Sequence, residues 1–179
     1  MILETIYNFI NSRVSQPSDE VSPHKVEHNI GLKHSYVTIY NHVVKRVLFE
    51  NGSASDVLYY DGMKKLGISD DKLKSFPTAL MGFENEDVKV RGFITLPLTL
   101  VKEPKTTTSM VDFMVVKVPS TYNILLGRPS QKALRVVGSS PHLKVKFPTP
   151  HGIGEVKGDQ PSDEACYNTA IELKGRESE

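Results

Sequence analysis

Hydrophobic and polar positions along the chain change rhythm several times. Residues 3–10 carry apolar side chains at helical spacing, but Gln16-Pro17-Ser18-Asp19-Glu20-Val21-Ser22-Pro23 is polar and twice interrupted by proline. This predicts a flexible leader over 1–28 with one short helix. From Tyr36 the pattern alternates, with Tyr36, Thr38 and Tyr40 on one face and Val37 and Ile39 on the other. After the break at Asn41-His42, the run Val43-Val44-Lys45-Arg46-Val47-Leu48-Phe49 predicts the second strand of a hairpin, ending on the turn Glu50-Asn51-Gly52-Ser53. Ser53 or Ser55 is placed to cap a helix from Asp56 to Leu66, with Gly67 as its stop.

Strands are expected over 78–83, 88–100 and 110–118. The first two are separated by Gly82 and the acidic Glu84-Asn85-Glu86-Asp87, the pattern of a hairpin with a mobile tip. Ile124-Leu125-Leu126-Gly127 is a short apolar run closed by glycine. Pro129 suits the start of a second helix through Leu134, and Leu143-Lys144-Val145-Lys146-Phe147 alternates as a strand. From Asp159 the chain turns polar, which marks 159–179 as a tail or linker. Many short strands, one or two short helices and no strand-helix-strand rhythm predict a mainly β, closed barrel-like domain over 29–158.

Composition narrows the function by exclusion. The 179 residues hold 22 Lys+Arg against 21 Asp+Glu, a net charge of +1, with a pI of about 7.8. A nucleic-acid binder ordinarily shows a basic excess, so direct nucleic-acid binding is not expected. No apolar run reaches the ~18–20 residues of a membrane span, and the first residues do not read as a signal peptide. The expectation is a soluble, intracellular protein, cytoplasmic by default, without membrane contact. The single cysteine, Cys166, cannot form an intrachain disulfide and has no close histidine.

Two motifs fall away on context. His24-Lys25-Val26-Glu27-His28 has the order of some zinc peptidases, but it follows Ser22-Pro23 and lacks an apolar helical face. Glycines 152, 154 and 158 have the wrong spacing for a dinucleotide loop, and no phosphate-binding loop motif occurs. No metal and no cofactor are expected.

The segment from Val47 to Leu58 carries more chemistry. An apolar strand delivers the Glu50 carboxylate into a tight turn where Gly52 permits close backbone approach, and serine hydroxyls and amides stand ready to orient the carboxylate from behind. Two such loops facing each other would set two carboxyls side by side. Like charges ~3 Å apart cannot both ionise, so the pair would share one proton and polarise a water, one group as base and the other as acid.

The order of motifs then becomes specific. About 70 residues after Gly52 comes Tyr122-Asn123-Ile124-Leu125-Leu126-Gly127-Arg128-Pro129, with the hairpin tip between them. Further pieces are Val44-Lys45-Arg46-Val47-Leu48, Gly52-Ser53 followed by Asp56-Val57-Leu58-Tyr59-Tyr60-Asp61, Gly92 with Ile94-Thr95-Leu96-Pro97, and Asp112-Phe113 with Val115-Val116. His142-Leu143-Lys144, Lys146-Phe147-Pro148-Thr149 and the Gly152 to Gln160 stretch continue the series. Over roughly 29–167 the chain resembles a retropepsin-like aspartic protease, in particular the protease region of plant gypsy-type LTR retrotransposon gag-pol polyproteins.

The resemblance implies a homodimer that hydrolyses peptide bonds in its own polyprotein, each chain giving one carboxylate. Glu50 stands where the family carries its catalytic aspartate, beside Asn51 and Gly52. Ser53, Leu125, Leu126, Gly127 and Arg128 match the supporting positions. Gly82, Phe83, Glu84, Asn85, Glu86, Asp87 and Val88 fall in the flap that would close over a peptide or polyprotein substrate. Asp56 and Asp61 are read as capping or salt-bridging the following helix, and the strand of Val145 and Phe147 as the dimer contact. Glu50 departs from the family pattern, which implies impaired proteolysis. The alternative is a catalytically inactive remnant that keeps the fold as a structural or dimerisation module.

Overall fold

The computed structural model describes residues 29–32, 37–75, 89–139 and 142–158. Eleven strands are present among them: β1 (Asn29–Leu32), β2 (Val37–Ile39), β3 (His42–Val43), β4 (Val47–Glu50), β5 (Asp56–Tyr59), β6 (Lys89–Lys102), β7 (Lys105–Lys117), β8 (Ile124–Leu126), β9 (Val137–Ser139), β10 (Lys144–Thr149) and β11 (Gly152–Lys157). Two short helices, α1 (Tyr60–Lys65) and α2 (Arg128–Ala133), and a 3-10 turn over Asp70–Lys72 complete them. The mainly β expectation is borne out.

Eight strands form one sheet in the order β1-β4-β8-β5-β7-β6-β2-β3, and β11-β10-β9 form a second. The chain leaves β4, turns through 51–55 and returns as β5, but the two are not neighbours. β8 lies between them, parallel to β4 (Leu48 opposite Leu125) and antiparallel to β5 (Val57 opposite Leu125). Asn123 fastens this insertion at its entry. Its N–H donates to Arg46 O (2.9 Å), its side-chain amide to Lys45 O (2.7 Å), and its carbonyl accepts from Tyr59 N (3.0 Å).

Side-chain alternation explains the continuous apolar runs. Val47, Phe49, Leu58, Phe113, Val115, Ile124 and Leu126 pack into one buried cluster, while Leu48, Val57, Tyr59, Met114, Val116 and Leu125 from the same strands pack into another. Successive residues of a strand face opposite sides of the sheet, so β4, β5, β8 and the end of β7 are buried on both faces. β6 turns Ile94, Leu96, Leu98 and Leu100 into the larger cluster, while Val90 and Phe93 near its start pack against the smaller one. The small sheet closes the larger cluster with Val145, Phe147 and Val156.

Several local expectations change. The predicted hairpin over 36–49 is shorter, because β3 covers only His42–Val43 and β4 pairs with β1 and β8 instead of β2. The predicted helix from Asp56 begins at Tyr60, because Asp56-Val57-Leu58-Tyr59 is taken into the sheet between β7 and β8. Asp56 is therefore on a strand, and Asp61 on the helix. Val145 and Phe147 are buried inside the subunit, so their side chains cannot form a dimer contact. The glycines at 152 and 154 belong to β11, where a Cβ on Gly154 would lie 2.5 Å from the Phe147 ring. Packing accounts for that glycine. The leader helix, His24 to His28, Cys166 and the tail lie outside the described residues, and no helix among those described is long and apolar enough to cross a membrane.

Candidate active site

β4 ends on Glu50, half-buried at the mouth of the 51–55 turn. The Gly52 N–H donates to Glu50 Oε1 at 3.0 Å, so the long side chain bends back onto the amide two residues ahead. Ser53 N donates to the Glu50 carbonyl at 3.3 Å and tightens the same turn. Asn51 and Gly52 are half-buried at its apex. Ser53 is buried, and its hydroxyl donates to Ser55 O (2.6 Å) while accepting from Ser55 N (3.3 Å). The Gly52 amide thus orients the carboxylate as expected, whereas the Ser53 hydroxyl holds the loop's own backbone.

The strand behind this loop is the one matched in sequence. β8 delivers Leu125 into the smaller apolar cluster, where Ala54 of the loop also packs, and Leu126 into the larger. Gly127 then passes so close to the loop that a Cβ would lie 2.4 Å from Ser55 O and 2.9 Å from Ser53 O. Only glycine fits that contact without displacement of backbone. Arg128 N donates to Ser53 O at 3.0 Å, while the Arg128 side chain is exposed. Glu50, Gly52, Ser53, Leu125, Gly127 and the Arg128 backbone are thereby brought into one construction. The flap residues 82–88 lie outside the described residues.

Sequence reasoning placed Asp56 wrongly and missed its part in this construction. Its side chain is 1% exposed, and its two oxygens accept separate backbone amides across the sheet: Gly127 N to Oδ1 at 2.7 Å and Ser130 N to Oδ2 at 3.0 Å. Asp56 does cap a helix, but it is α2 rather than its own neighbour. Burial pushes its pKa up to about 6; hydrogen bonds from Ser130 and Gly127 pull it down, and Asp112 adds to the rise. The available signal was an acid opening the apolar run Val57-Leu58-Tyr59, since a carboxylate so placed must find donors. A second unforeseen feature is Tyr59, whose hydroxyl is buried without a hydrogen bond of normal geometry, although the Ser120 side chain offsets part of the burial that pushes the phenol up to about 12.

Chemically, one carboxyl at the loop can carry or accept one proton. Both roles of a water-activating pair require a second carboxyl facing it. Among the described residues no group of three His, Cys, Asp or Glu side chains could hold a metal ion.

No protein-family model matches the chain, and no curated protein matches its sequence. Solved structures do match. The retroviral protease-like domain of Ddi1 from Leishmania major aligns over 73% of this chain and 95% of its own, with TM-score 0.54 and 12% identity. A retropepsin-like aspartic protease from Rickettsia conorii aligns over 78% of this chain and 96% of its own, with TM-score 0.43 and 19% identity. With β8 threaded behind the Glu50 loop and the Ddi1 domain superposing across most of the chain, the protein has the retropepsin-like fold.

Proposed function

We propose that the chain is an aspartic-endopeptidase-type domain whose activity is weakened by Glu50, derived from the polyprotein of a gypsy-type retroelement. The observation that carries this reading is the Glu50 carboxylate at the tip of β4, held by the Gly52 amide in a loop backed by Gly127. In a homodimer with opposed loops, one Glu50 would take a proton from water as the oxygen attacks the peptide carbonyl. The other, protonated, would hydrogen-bond the developing oxyanion and the proton would pass to the leaving amine. The extra methylene moves the carboxyl by ~1.5 Å, and a misplacement near 1 Å costs on the order of 100-fold in rate.

The test is peptide hydrolysis by the purified chain beside Glu50→Asp, with pepstatin as inhibitor and the oligomeric state measured in parallel. Weak or undetectable turnover by the natural chain and a gain of about 100-fold in the variant are expected. Equal, robust turnover by both would remove the assigned defect. The second reading, a silent structural or dimerisation module, is favoured by the same residue, since glutamate displaces the carboxyl while the supporting framework stays intact. A dimeric Glu50→Asp chain with no turnover would select it.

A further inference from the structure

We propose that Asp56 is the positioning residue of the Glu50 loop, a buried carboxylate that clamps the β8-α2 corner against the loop and makes that clamp proton-linked. The role in positioning a catalytic group rests on the function proposed above, whereas the clamp and its proton do not.

The geometry is that of a two-handed grip. Oδ1 holds the amide of Gly127, the residue whose backbone touches Ser53 and Ser55, and Oδ2 holds the amide of Ser130 on the first turn of α2. The Ser130 hydroxyl closes the corner by donating to Gly127 O at 3.1 Å. Arg128 N reaches Ser53 O from the residue between them. Moving Gly127 would therefore move the floor under Glu50. An ionised carboxylate accepts both amides with full strength but bears the cost of a buried charge, whereas a protonated one keeps a single carbonyl acceptor and sheds that larger cost, so acid loosens the grip locally while stabilising the fold.

The surroundings leave this proton sensitive to mild acid. From β7 the charged neighbour is Asp112, exposed and bonded to Thr95, which disfavours a second negative charge. β8 contributes only Ile124, Leu125 and Leu126. α2 offers the Ser130 hydroxyl, while its cations Arg128 and Lys132 are exposed, and Glu50 heads the loop that Asp56 closes. No cation is bonded to the buried carboxylate among the described residues. With its native pKa raised from 3.8 to about 6, the folded chain binds the proton more tightly than the unfolded chain. Stability from this group is full below about pH 4 and is lost as pH rises through about 6, the reverse of the usual carboxylate.

The experiment is an NMR titration of the full chain that follows the Asp56 carboxyl carbon together with the Gly127 and Ser130 amides. All three should move with a common midpoint near pH 6. A carboxyl midpoint below about 4.5, or amides that do not follow it, would overturn the proposal. Melting runs alongside. Between pH 7.5 and 5.0 the natural chain should gain about 3–5 °C in Tm relative to Asp56→Asn, and identical pH profiles would count against the clamp. In the Glu50→Asp background, Asp56→Asn should lower kcat about 10-fold or more with KM nearly unchanged and remove the inflection near pH 6. A loss confined to KM would contradict a positioning role. If Glu50→Asp shows no turnover, the peptidase reading falls while titration and melting still judge the clamp. If Asp56→Asn does not fold, titration of the natural chain decides.

Discussion

Gly127 and Tyr59 illustrate two opposite constraints on single residues. At Gly127 a methyl group would meet two backbone carbonyls, neither of which has a flexible end to give way. Gly127→Ala is expected to lower stability by about 3 kcal/mol, measured by urea unfolding, and to displace the 51–55 loop. At Tyr59 the ring is well packed but its hydroxyl is left without a good partner. An unpaired buried hydroxyl costs ~1–3 kcal/mol, so Tyr59→Phe should leave stability unchanged or raise it by about 1 kcal/mol in the same assay. Glu50, Gly52 and Gly127 stand out in the sequence only through the ordered set of short motifs that resembles a known family, since each motif alone is unspecific. Asp56 was not, because its partners are amides more than 70 positions away, and backbone donors leave no mark on the residues that carry them.

Among elements, legibility followed how many faces are buried. β6, one-sided from Ile94 onward, alternates and is legible nearly to its ends, as is β10. β5 reads in the sequence as part of a helix because burial on both faces removes alternation, leaving a run that fits either period. The same burial sets the dynamics. Amides of β5 and β8, interior to the sheet, should exchange slowest with solvent, whereas those of the sheet-edge strands β3 and β11 should exchange early. Hydrogen exchange read by mass spectrometry checks this, and rapid exchange across 124–126 would contradict the topology. On the surface, Asp70 gathers α1, the 3-10 turn and β6, taking hydrogen bonds from Tyr60, Lys64 and Arg91. These groups also stack cations over the Tyr60 ring, with Lys64 5.1 Å and Arg91 5.5 Å from its centroid. Exposed pairs of this kind give orientation more than stability.

For the molecule as a whole, the insertion of β8 between β4 and β5 has a consequence in time as well as space. The two strands flanking the Glu50 loop have no direct pairing, so the loop lacks its backing until Ile124–Leu126 arrives, and the Gly127 and Ser130 amides must follow to satisfy Asp56. A chain emerging from the ribosome would carry Glu50 through the synthesis of some eighty further residues before the site could take shape. Pairings this distant are slow to form, because the loop between them must be closed before any contact repays the ordering. A nascent or prematurely terminated chain ending before residue 127 would thus carry the Glu50 turn without its backing, which delays the finished loop until most of the domain has been made.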